Sequence, residues 1–178
     1  YQEALDELAL VSQRCDSNNI KMLRIQAYSN YEADKYPEGI AVMEHLFRIV
    51  PADKRIIQDF EYYGKLLIKT DNDSLGIEQL QKAYSLDPTR ADLLSDIAAS
   101  WYKLKVYDNA ILFYKQKMAL GKDVKLIDHF NLGRSYYFNK QFFEADSAYA
   151  KATDLSPNWA SAWLSRADAN VQIDSTSE

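Results

Sequence analysis

The sequence is poor in residues that interrupt helices. It contains five glycines and four prolines among 178 residues. It also lacks the alternating apolar and polar runs that are typical of half-buried β-strands. Because Gly and Pro are the strongest local breakers of regular structure, these two absences together predict helices throughout. The chain has 178 residues, of which 47% are hydrophobic, and this is enough to bury a core.

Residues that build catalytic and metal sites are also scarce. The single cysteine, Cys15, excludes an internal disulfide and a cysteine-based zinc site, and it leaves the compartment open. The two histidines, His45 and His129, show no spacing typical of a nucleophilic site. The segment Asp71–Gly76 resembles a calcium loop superficially, but it lacks a third acidic ligand. We therefore expect no enzymatic activity, no cofactor and no metal site.

The charge balance argues against two classes of partner. The net charge is −5 and the sequence pI is about 5.1. We expect no basic patch that would neutralise phosphates, which argues against nucleic acid and anionic membrane surfaces. No apolar run approaches the roughly 18 residues that span a bilayer, which argues against direct membrane insertion.

What the sequence does contain is an internal repeat. Three sets of positions recur with shared intervals of 37, 34 and 35 residues, and the first set continues for another 34. A period of about 34 residues is typical of helix–turn–helix solenoids. The first set is Ala27, Gly64, Ala98, Gly133 and Ala167; the second is Gly39, Gly76, Ala110 and Ala145; the third is Met43, Leu80, Tyr114 and Tyr149.

The clearest unit lies between Leu126 and Trp159. Small residues at two positions would let a pair of helices approach closely, and larger side chains would fill the space around that contact. A proline then closes the unit. This pattern resembles the tetratricopeptide repeat (TPR), and its residues are Leu132, Gly133, Tyr136, Ala145, Tyr149, Ala152 and Pro157.

The resemblance implies an all-α fold: a right-handed α-solenoid of antiparallel helix pairs. It covers nearly the whole chain, which looks like a fragment of a longer TPR protein. We predict a single array over residues 1–173 and a polar tail at 174–178. The array would comprise a half repeat at 1–19, full repeats at 20–56, 57–90, 91–125 and 126–159, and a half repeat at 160–173.

Two repeats depart from the family pattern. In the third full repeat, Lys117 replaces a small residue and Lys122 replaces the proline. The unit is also one residue longer than the typical repeat. A local bend or an overrun of the helix is expected there. The first full repeat carries three extra residues near Ala52–Arg55.

In the TPR family, the first helices of successive repeats line a concave groove. The face opposite the packing face can be read from helical spacing. The two phenylalanines Phe130 and Phe138 are expected to point into the groove, with Arg134 between them. The predicted partner-binding residues are Tyr28, Tyr62, Lys65, Asp96, Tyr102, Phe130, Asn131, Arg134 and Phe138.

The resemblance implies a non-catalytic protein–protein interaction scaffold. It would bind a peptide or protein segment of mixed charge, because the groove alternates between basic and acidic residues. One alternative is the interaction or regulatory arm of a longer multidomain enzyme or sensor whose active domain lies outside this chain. Another is self-association through open helix ends. Part of the expected cover is missing there for Leu5, Leu8 and Val11 at one end, and for Trp163 and Leu164 at the other.

Overall fold

The computed structural model of the protein describes Glu3 and residues 19–175. These residues form nine α-helices and one short 3-10 helix, without a strand, so the prediction of an all-α fold is confirmed for the part of the chain that is described. The helices are α1 Ile20–Glu32, α2 Tyr36–Ile49, α3 Ile57–Lys69, α4 Asp73–Leu86, α5 Ala91–Lys103, α6 Tyr107–Leu120, α7 Leu126–Phe138, α8 Phe142–Leu155 and α9 Ala160–Ser175; the 3-10 helix is Ala52–Lys54.

The chain divides into two compact units, Tyr1–Thr89 and Arg90–Glu178. The division lies one residue before the boundary between the predicted repeats 57–90 and 91–125. In the described residues, each repeat pairs a first helix (α1, α3, α5 or α7) with the second helix that follows it. None of the described helices is both long and apolar enough to cross a bilayer.

The turn inside each repeat uses a residue with left-handed backbone geometry. The amide three residues after the helix end donates to a carbonyl five positions earlier, as in Asn72 N to Leu67 O at 2.9 Å and Gln141 N to Tyr136 O at 2.9 Å. This pattern satisfies carbonyls that the helix leaves open. The left-handed residues are Asp34, Asp71, Lys105 and Lys140, with φ of 57°, 61°, 60° and 61°.

In the first unit, close helix contacts depend on small residues. A Cβ on Gly64 would lie 2.9 Å from the carbonyl oxygen of Gly76 and 2.9 Å from Leu80. The neighbouring pair α1 and α2 buries Ala27 and Met43 together with Leu66 of α3. Small residues therefore let the backbones of α3 and α4 approach closely, as the sequence predicts.

In the second unit, the corresponding contact is filled by an aromatic ring. A Cβ on Gly133 would lie 2.6 Å from the ring of Tyr149, which is buried. Around it, Tyr114 and Leu132 pack with Ala98 and other small or aliphatic side chains. The glycine thus makes room for a tyrosine rather than for another backbone.

The three extra residues of the first full repeat form the 3-10 helix Ala52–Lys54. Arg55, which follows it, donates to the carbonyl oxygens of Phe47 at 2.7 Å and Val50 at 3.1 Å. Its guanidinium also lies 4.6 Å from the centre of the Phe47 ring. Arg55, directly after the insertion, therefore places a cation at the carboxyl end of α2.

The irregularity of the third full repeat lies in a loop. Helix α6 has 14 residues, the same length as α2, α4 and α8, so the expected helix overrun is absent. The helix ends at Leu120, and the capping residue Gly121 that follows has a φ of 63°, which favours glycine. Asp123 also has a positive φ, of 50°, so the additional residue is taken up between α6 and α7.

The two ends differ in how much is described. The predicted second helix of the half repeat at 1–19 lies outside the described residues, apart from Glu3, which is helical. At the other end, α9 continues to Ser175, two residues beyond the predicted half repeat 160–173. The Ser175 hydroxyl donates to the carbonyl oxygen of Gln172, so the first two residues of the predicted tail belong to the helix.

Candidate interaction surface

The second unit gathers an arginine and four aromatic rings where α5 and α7 end. We call Tyr102, Tyr107, Arg134, Tyr137 and Phe138 the aromatic–arginine surface. The Phe138 ring lies 5.9 Å from Tyr102, 5.7 Å from Tyr107 and 5.5 Å from Tyr137. Despite these contacts, 49% of Phe138 remains exposed. The ring is therefore fixed in position and accessible at the same time.

Aromatic pairs across the turn within a repeat build this surface. Tyr102 near the end of α5 contacts Tyr107 at the start of α6, with ring centres 5.6 Å apart. Tyr137 contacts Phe142 in the same way, at 5.5 Å. The members of each pair are five positions apart in the sequence, and the left-handed turn residue between them reverses the chain. The turn geometry therefore brings rings from both helices of a repeat together.

Within this surface, Arg134 contacts Tyr102. Its guanidinium carbon lies 4.7 Å from the centre of the Tyr102 ring, which is the geometry of a cation–π contact. Burial raises the pKa of Tyr102, and the nearby Arg134 charge and hydrogen bond oppose the shift. Tyr102 is therefore a neutral phenol at neutral pH.

Arg134 and Phe138 also line a cleft of about 200 Å³ within the second unit. Its other walls are Tyr137, Tyr149, Ser165 and Asp168. Burial raises the pKa of Tyr149, while Arg134 and a hydrogen bond with Ser165 oppose that shift. The cleft thus combines aromatic rings with a cation at one position and a carboxylate at another.

The expectation that Phe130 faces away from the packing of its repeat is wrong. The ring is half-buried, with Trp159 at 4.6 Å and Tyr149 at 5.5 Å, and it packs on the cluster that contains Ala145 and Ala169. The cover comes from Trp159, in the loop before α9. Phe130 therefore belongs to the packing of the second unit.

Two predicted polar residues of the second unit lie near Tyr114. Asn131 hydrogen-bonds the Tyr114 hydroxyl, and Asp96 is close enough to influence its charge. Burial is the main cause of the raised pKa of Tyr114. Both Asn131 and Asp96 are half-buried, and both interact with this internal tyrosine.

The first unit brings its three predicted residues together. Tyr28 and Tyr62 stack with ring centres 4.1 Å apart, and Lys65 Nζ lies 5.9 Å from the centre of the Tyr62 ring. Lys65 also forms an ion pair of 2.7 Å with Glu61. Tyr31 adds an edge contact to Tyr62 at 5.6 Å. In this cluster, the rings cover one another and the lysine is already paired with an acid.

Neither histidine nor the calcium-like segment contributes to a recognisable chemical site. Among the residues that the structure describes, no group of three His, Cys, Asp or Glu side chains is placed to hold a metal ion. Asp71–Gly76 forms the turn into α4 and the start of that helix. His129 is half-buried, and burial lowers its pKa.

The predicted binding residues omit two members of the surface, Tyr107 and Tyr137. They also omit Ser165 and Asp168 of the adjoining cleft. The recurrence of aromatic pairs five residues apart, which also includes Tyr31 and Tyr36 at 6.1 Å, is a signal in the sequence that would have found Tyr107. Ser165 and Asp168 belong to the next repeat, and helical spacing alone does not show that they lie beside Arg134 in one cleft.

Comparisons with known proteins agree with this architecture. No family model matches the chain, and no curated protein matches it. Two structures of MamA, from MSR-1 and AMB-1, share the fold at 22% and 19% identity, with TM-scores of 0.76 and 0.78. They cover 88% and 89% of this chain, which in turn covers 87% and 85% of theirs.

A solved structure of the C-terminal part of a TPR repeat-containing protein from Cytophaga hutchinsonii is more similar in sequence. It aligns with all of this chain at 32% identity and a TM-score of 0.85, and the alignment covers 68% of that structure. The whole chain thus has a counterpart of known structure, and the chain belongs to the TPR repeat-containing proteins.

Proposed function

We propose that the chain is a non-catalytic interaction scaffold that binds a peptide or protein segment on the aromatic–arginine surface of its second unit. The observation that carries this proposal is the state of Phe138. Its ring is held by three other aromatic rings, and 49% of it is still exposed beside an arginine. A partner that covered it would remove apolar area from water, at about 25 cal/mol per Å².

Rigid aromatic residues next to arginine are the usual composition of energetic hot spots in interfaces. Here Tyr102 contacts both Phe138 and Arg134, so the three side chains are already positioned without a ligand. Binding then loses little side-chain entropy. We expect a dissociation constant near the micromolar range, or about −8 kcal/mol.

The adjoining cleft suggests the chemistry of the ligand. Arg134 favours a carboxylate, because a guanidinium recognises it with paired hydrogen bonds. Asp168 is exposed and favours a cation. The proposed ligand therefore carries an acidic and a basic side chain, together with an apolar or aromatic one that covers Phe138. This is the mixed-charge peptide that the sequence predicts.

Selection of random linear peptides on the purified 178-residue chain tests the proposal. An enriched peptide would be synthesised with a fluorophore, and its dissociation constant would be measured by anisotropy. We expect Phe138→Ala and Arg134→Ala each to weaken binding by about tenfold or more, which corresponds to about 1.4 kcal/mol.

Two variants on α8 serve as matched controls. Phe143 is another exposed phenylalanine, at 65% exposure, and Lys151 is another exposed cation of the second unit. Phe143→Ala and Lys151→Ala should leave the dissociation constant within about twofold. If the controls weaken binding as much as the surface variants do, the proposed surface is wrong.

The alternative, an interaction arm of a longer enzyme or sensor, requires the same kind of surface. It differs in what lies outside this chain, so the sequence on both sides of the segment distinguishes it from a scaffold that acts alone. A catalytic motif in either flank would favour the alternative.

A further inference from the structure

Another groove of the second unit lies between α7 and α8, and we call it the α7–α8 groove. It has a volume of about 400 Å³ and shares no lining residue with the aromatic–arginine surface or its cleft. Leu132 and Ala148, one from each helix, line it; each is 7% exposed and packs with Ile111 and Tyr114 of α6. Because these two residues belong to the core, the groove has a fixed apolar floor.

Aromatic side chains stand beside this floor. Tyr136 of α7 is half-buried and packs on the same cluster as Leu132. Phe143 of α8 also lines the groove, and 65% of it is exposed. An apolar side chain that occupied the groove would therefore cover an exposed ring and remove its area from water.

The two ends of the groove carry opposite charges. Burial is the main cause of the lowered pKa of His129, and the Lys151 charge lowers it further against the influence of Asp128, so Lys151 lies near His129. At the other end, burial raises the pKa of Tyr136 and the nearby Glu144 raises it further. Lys151 and Glu144 are both exposed, and neither forms an ion pair among the residues that the structure describes.

The spacing of these charges fits a helix. Glu144 and Lys151 are seven positions apart on α8, which is about 10.5 Å along the helix axis. A third helix that lies along the groove covers the same distance between its own residues i and i+7, and its residues i+3 and i+4 then face the apolar floor. The matching pattern is an acid for Lys151, two apolar residues, and a base for Glu144.

We propose that the α7–α8 groove binds an amphipathic helix of a partner protein, in which an acidic residue at i and a basic residue at i+7 enclose apolar residues at i+3 and i+4. An acid near the amino end and a base near the carboxyl end also suit the dipole of the bound helix. The charges of the groove thus specify the partner's chemistry, and its floor supplies the apolar contact.

The corresponding groove of the first unit, between α3 and α4, has different chemistry. It has a volume of about 580 Å³, but Gln79 replaces Ala148 in its lining. Leu75 occupies the position that corresponds to Glu144, so the acidic end is not repeated. The lysine is repeated as Lys82, which is exposed and lines that groove. Lys82 therefore provides a matched control for the lysine of the second unit.

Two synthetic helical peptides with a fluorophore test the proposal on the 178-residue chain. Each has about 14 residues, enough for about four turns, and a hydrocarbon staple on its outer face. The mixed peptide carries Glu, Leu, Leu and Lys at positions i, i+3, i+4 and i+7, and the acidic peptide carries Glu at both ends of this pattern. Anisotropy at low salt should show that the chain binds the mixed peptide about fivefold or more tightly than the acidic one.

Variants of the groove locate the binding. Phe143→Ala and Lys151→Ala should each weaken binding of the mixed peptide by about tenfold, whereas the control Lys82→Ala should leave it within about twofold. Glu144→Lys makes both ends of the groove cationic, so this variant should bind the acidic peptide more tightly than the mixed one. Far-ultraviolet circular dichroism confirms that each variant keeps its helices.

These results distinguish the α7–α8 groove from the aromatic–arginine surface. Phe143→Ala and Lys151→Ala should spare the peptide selected for that surface and weaken the helical one, so either site can fail without the other.

Several outcomes would overturn the proposal. They are no binding of the mixed peptide up to about 1 mM, equal weakening by Lys82→Ala and Lys151→Ala, or an unchanged peptide preference in Glu144→Lys. Ultracentrifugation tests a different occupant: if the chain alone associates and Phe143→Ala abolishes this, a second copy occupies the groove and the partner helix is wrong.

Discussion

Both units place an aspartate at the third position of a first helix, but they neutralise it in different ways. In the first unit, Asp59 accepts from Arg24 at 2.7 and 2.8 Å, and Arg24 is 21% exposed. In the second unit, Asp128 pairs with Lys117 at 2.7 Å, and the lysine is only 3% exposed. One acid thus meets a cation at the surface, and the other meets a cation inside the protein.

The acid itself has the same local role in both units. Asp59 accepts from the backbone amide of Ile56 at 2.9 Å, and Asp128 accepts from that of Lys125 at 2.8 Å. Each carboxylate satisfies an open donor at the start of its helix. The repeat therefore preserves the cap, while the source of the positive charge changes from the preceding first helix to the preceding second helix.

The difference between the cations has energetic consequences. Two buried charges lose hydration, which their attraction offsets only if all partners are in place. In the second unit, Ser95 completes the network by donating to Asp128 at 2.9 Å. Removing Lys117 leaves the charge of Asp128 buried without a cation. In the first unit, solvent can reach the site of Arg24 more easily. The buried pair should therefore be the more sensitive of the two.

The largest effect is expected from Lys117→Met. It keeps the apolar stem but leaves Asp128 buried without a cation, so the free energy of unfolding should fall by about 3–5 kcal/mol. Arg24→Met should cost less, about 1–3 kcal/mol, because its site is nearer to solvent. Urea denaturation of the 178-residue chain measures both values.

Two variants control for the loss of a lysine and for the remaining charge. Lys115→Met, at an exposed position of the same helix, should change stability by no more than about 0.5 kcal/mol. Adding Asp128→Asn to Lys117→Met removes the stranded charge and keeps an acceptor for the Lys125 amide, so part of the stability should return. Equal effects of Lys117→Met and Lys115→Met would show that the pair contributes nothing.

An intermediate effect is expected where small residues set the distance between helices. Gly64→Ala brings a Cβ to 2.9 Å from the carbonyl oxygen of Gly76, and Gly133→Ala brings one to 2.6 Å from the Tyr149 ring. Overpacking of this kind costs about 1–3 kcal/mol. Gly64→Ala should be the more damaging, because a backbone carbonyl yields less easily than a side chain.

The sign of the Gly64→Ala effect decides this prediction. Replacing an exposed glycine within a helix by alanine raises the free energy of unfolding by about 1 kcal/mol. If thermal unfolding shows that Gly64→Ala stabilises the protein by that amount, the close approach of α3 and α4 is not as described.

The smallest effect concerns His129, whose counterpart in the first unit is the buried Phe60. Because burial lowers the pKa of His129, the folded chain binds a proton more weakly than the unfolded chain does. The stability that this difference contributes is present above the ordinary histidine pKa and is lost as the pH falls through it. His129→Phe should therefore reduce the loss of stability between about pH 7.5 and about pH 5.5.

Urea midpoints at the two pH values measure this effect. If the stability of the wild type and of His129→Phe changes equally with pH, protonation of His129 is not linked to folding.

The helical repeat was predictable because its determinants are local and recur. Small residues such as Gly64 and Gly133 mark where helices cross, and their intervals alone indicate the paired helices. The left-handed turn residues recur at the same intervals but share no chemistry, since Asp71 and Lys140 occupy equivalent places. The geometry of the turn imposes the left-handed conformation on any residue at that position, so the residue type does not predict it.

The candidate surface was predictable only in part. Helical spacing places Tyr102, Arg134 and Phe138 on one side of the first helices, and the structure brings them together. Spacing cannot show that Trp159 of a connecting loop covers Phe130. Likewise, Lys117 was noticed as a departure from the pattern, but its pairing with Asp128 depends on how α6 and α7 pack.

The same comparison of units applies to the aromatic residues. Tyr31 and Tyr102 occupy equivalent repeat positions, and each contacts a tyrosine across its own turn. Only Tyr102 contacts Arg134 and the half-exposed Phe138. We therefore propose that the peptide binds to the second unit.

The most direct test of this assignment is the dissociation constant of the selected peptide for Tyr102→Ala and for Tyr31→Ala, measured side by side. The account predicts that Tyr102→Ala weakens binding by about tenfold or more, while Tyr31→Ala leaves it within about twofold. Equal weakening by both variants, or a larger effect of Tyr31→Ala, would contradict it.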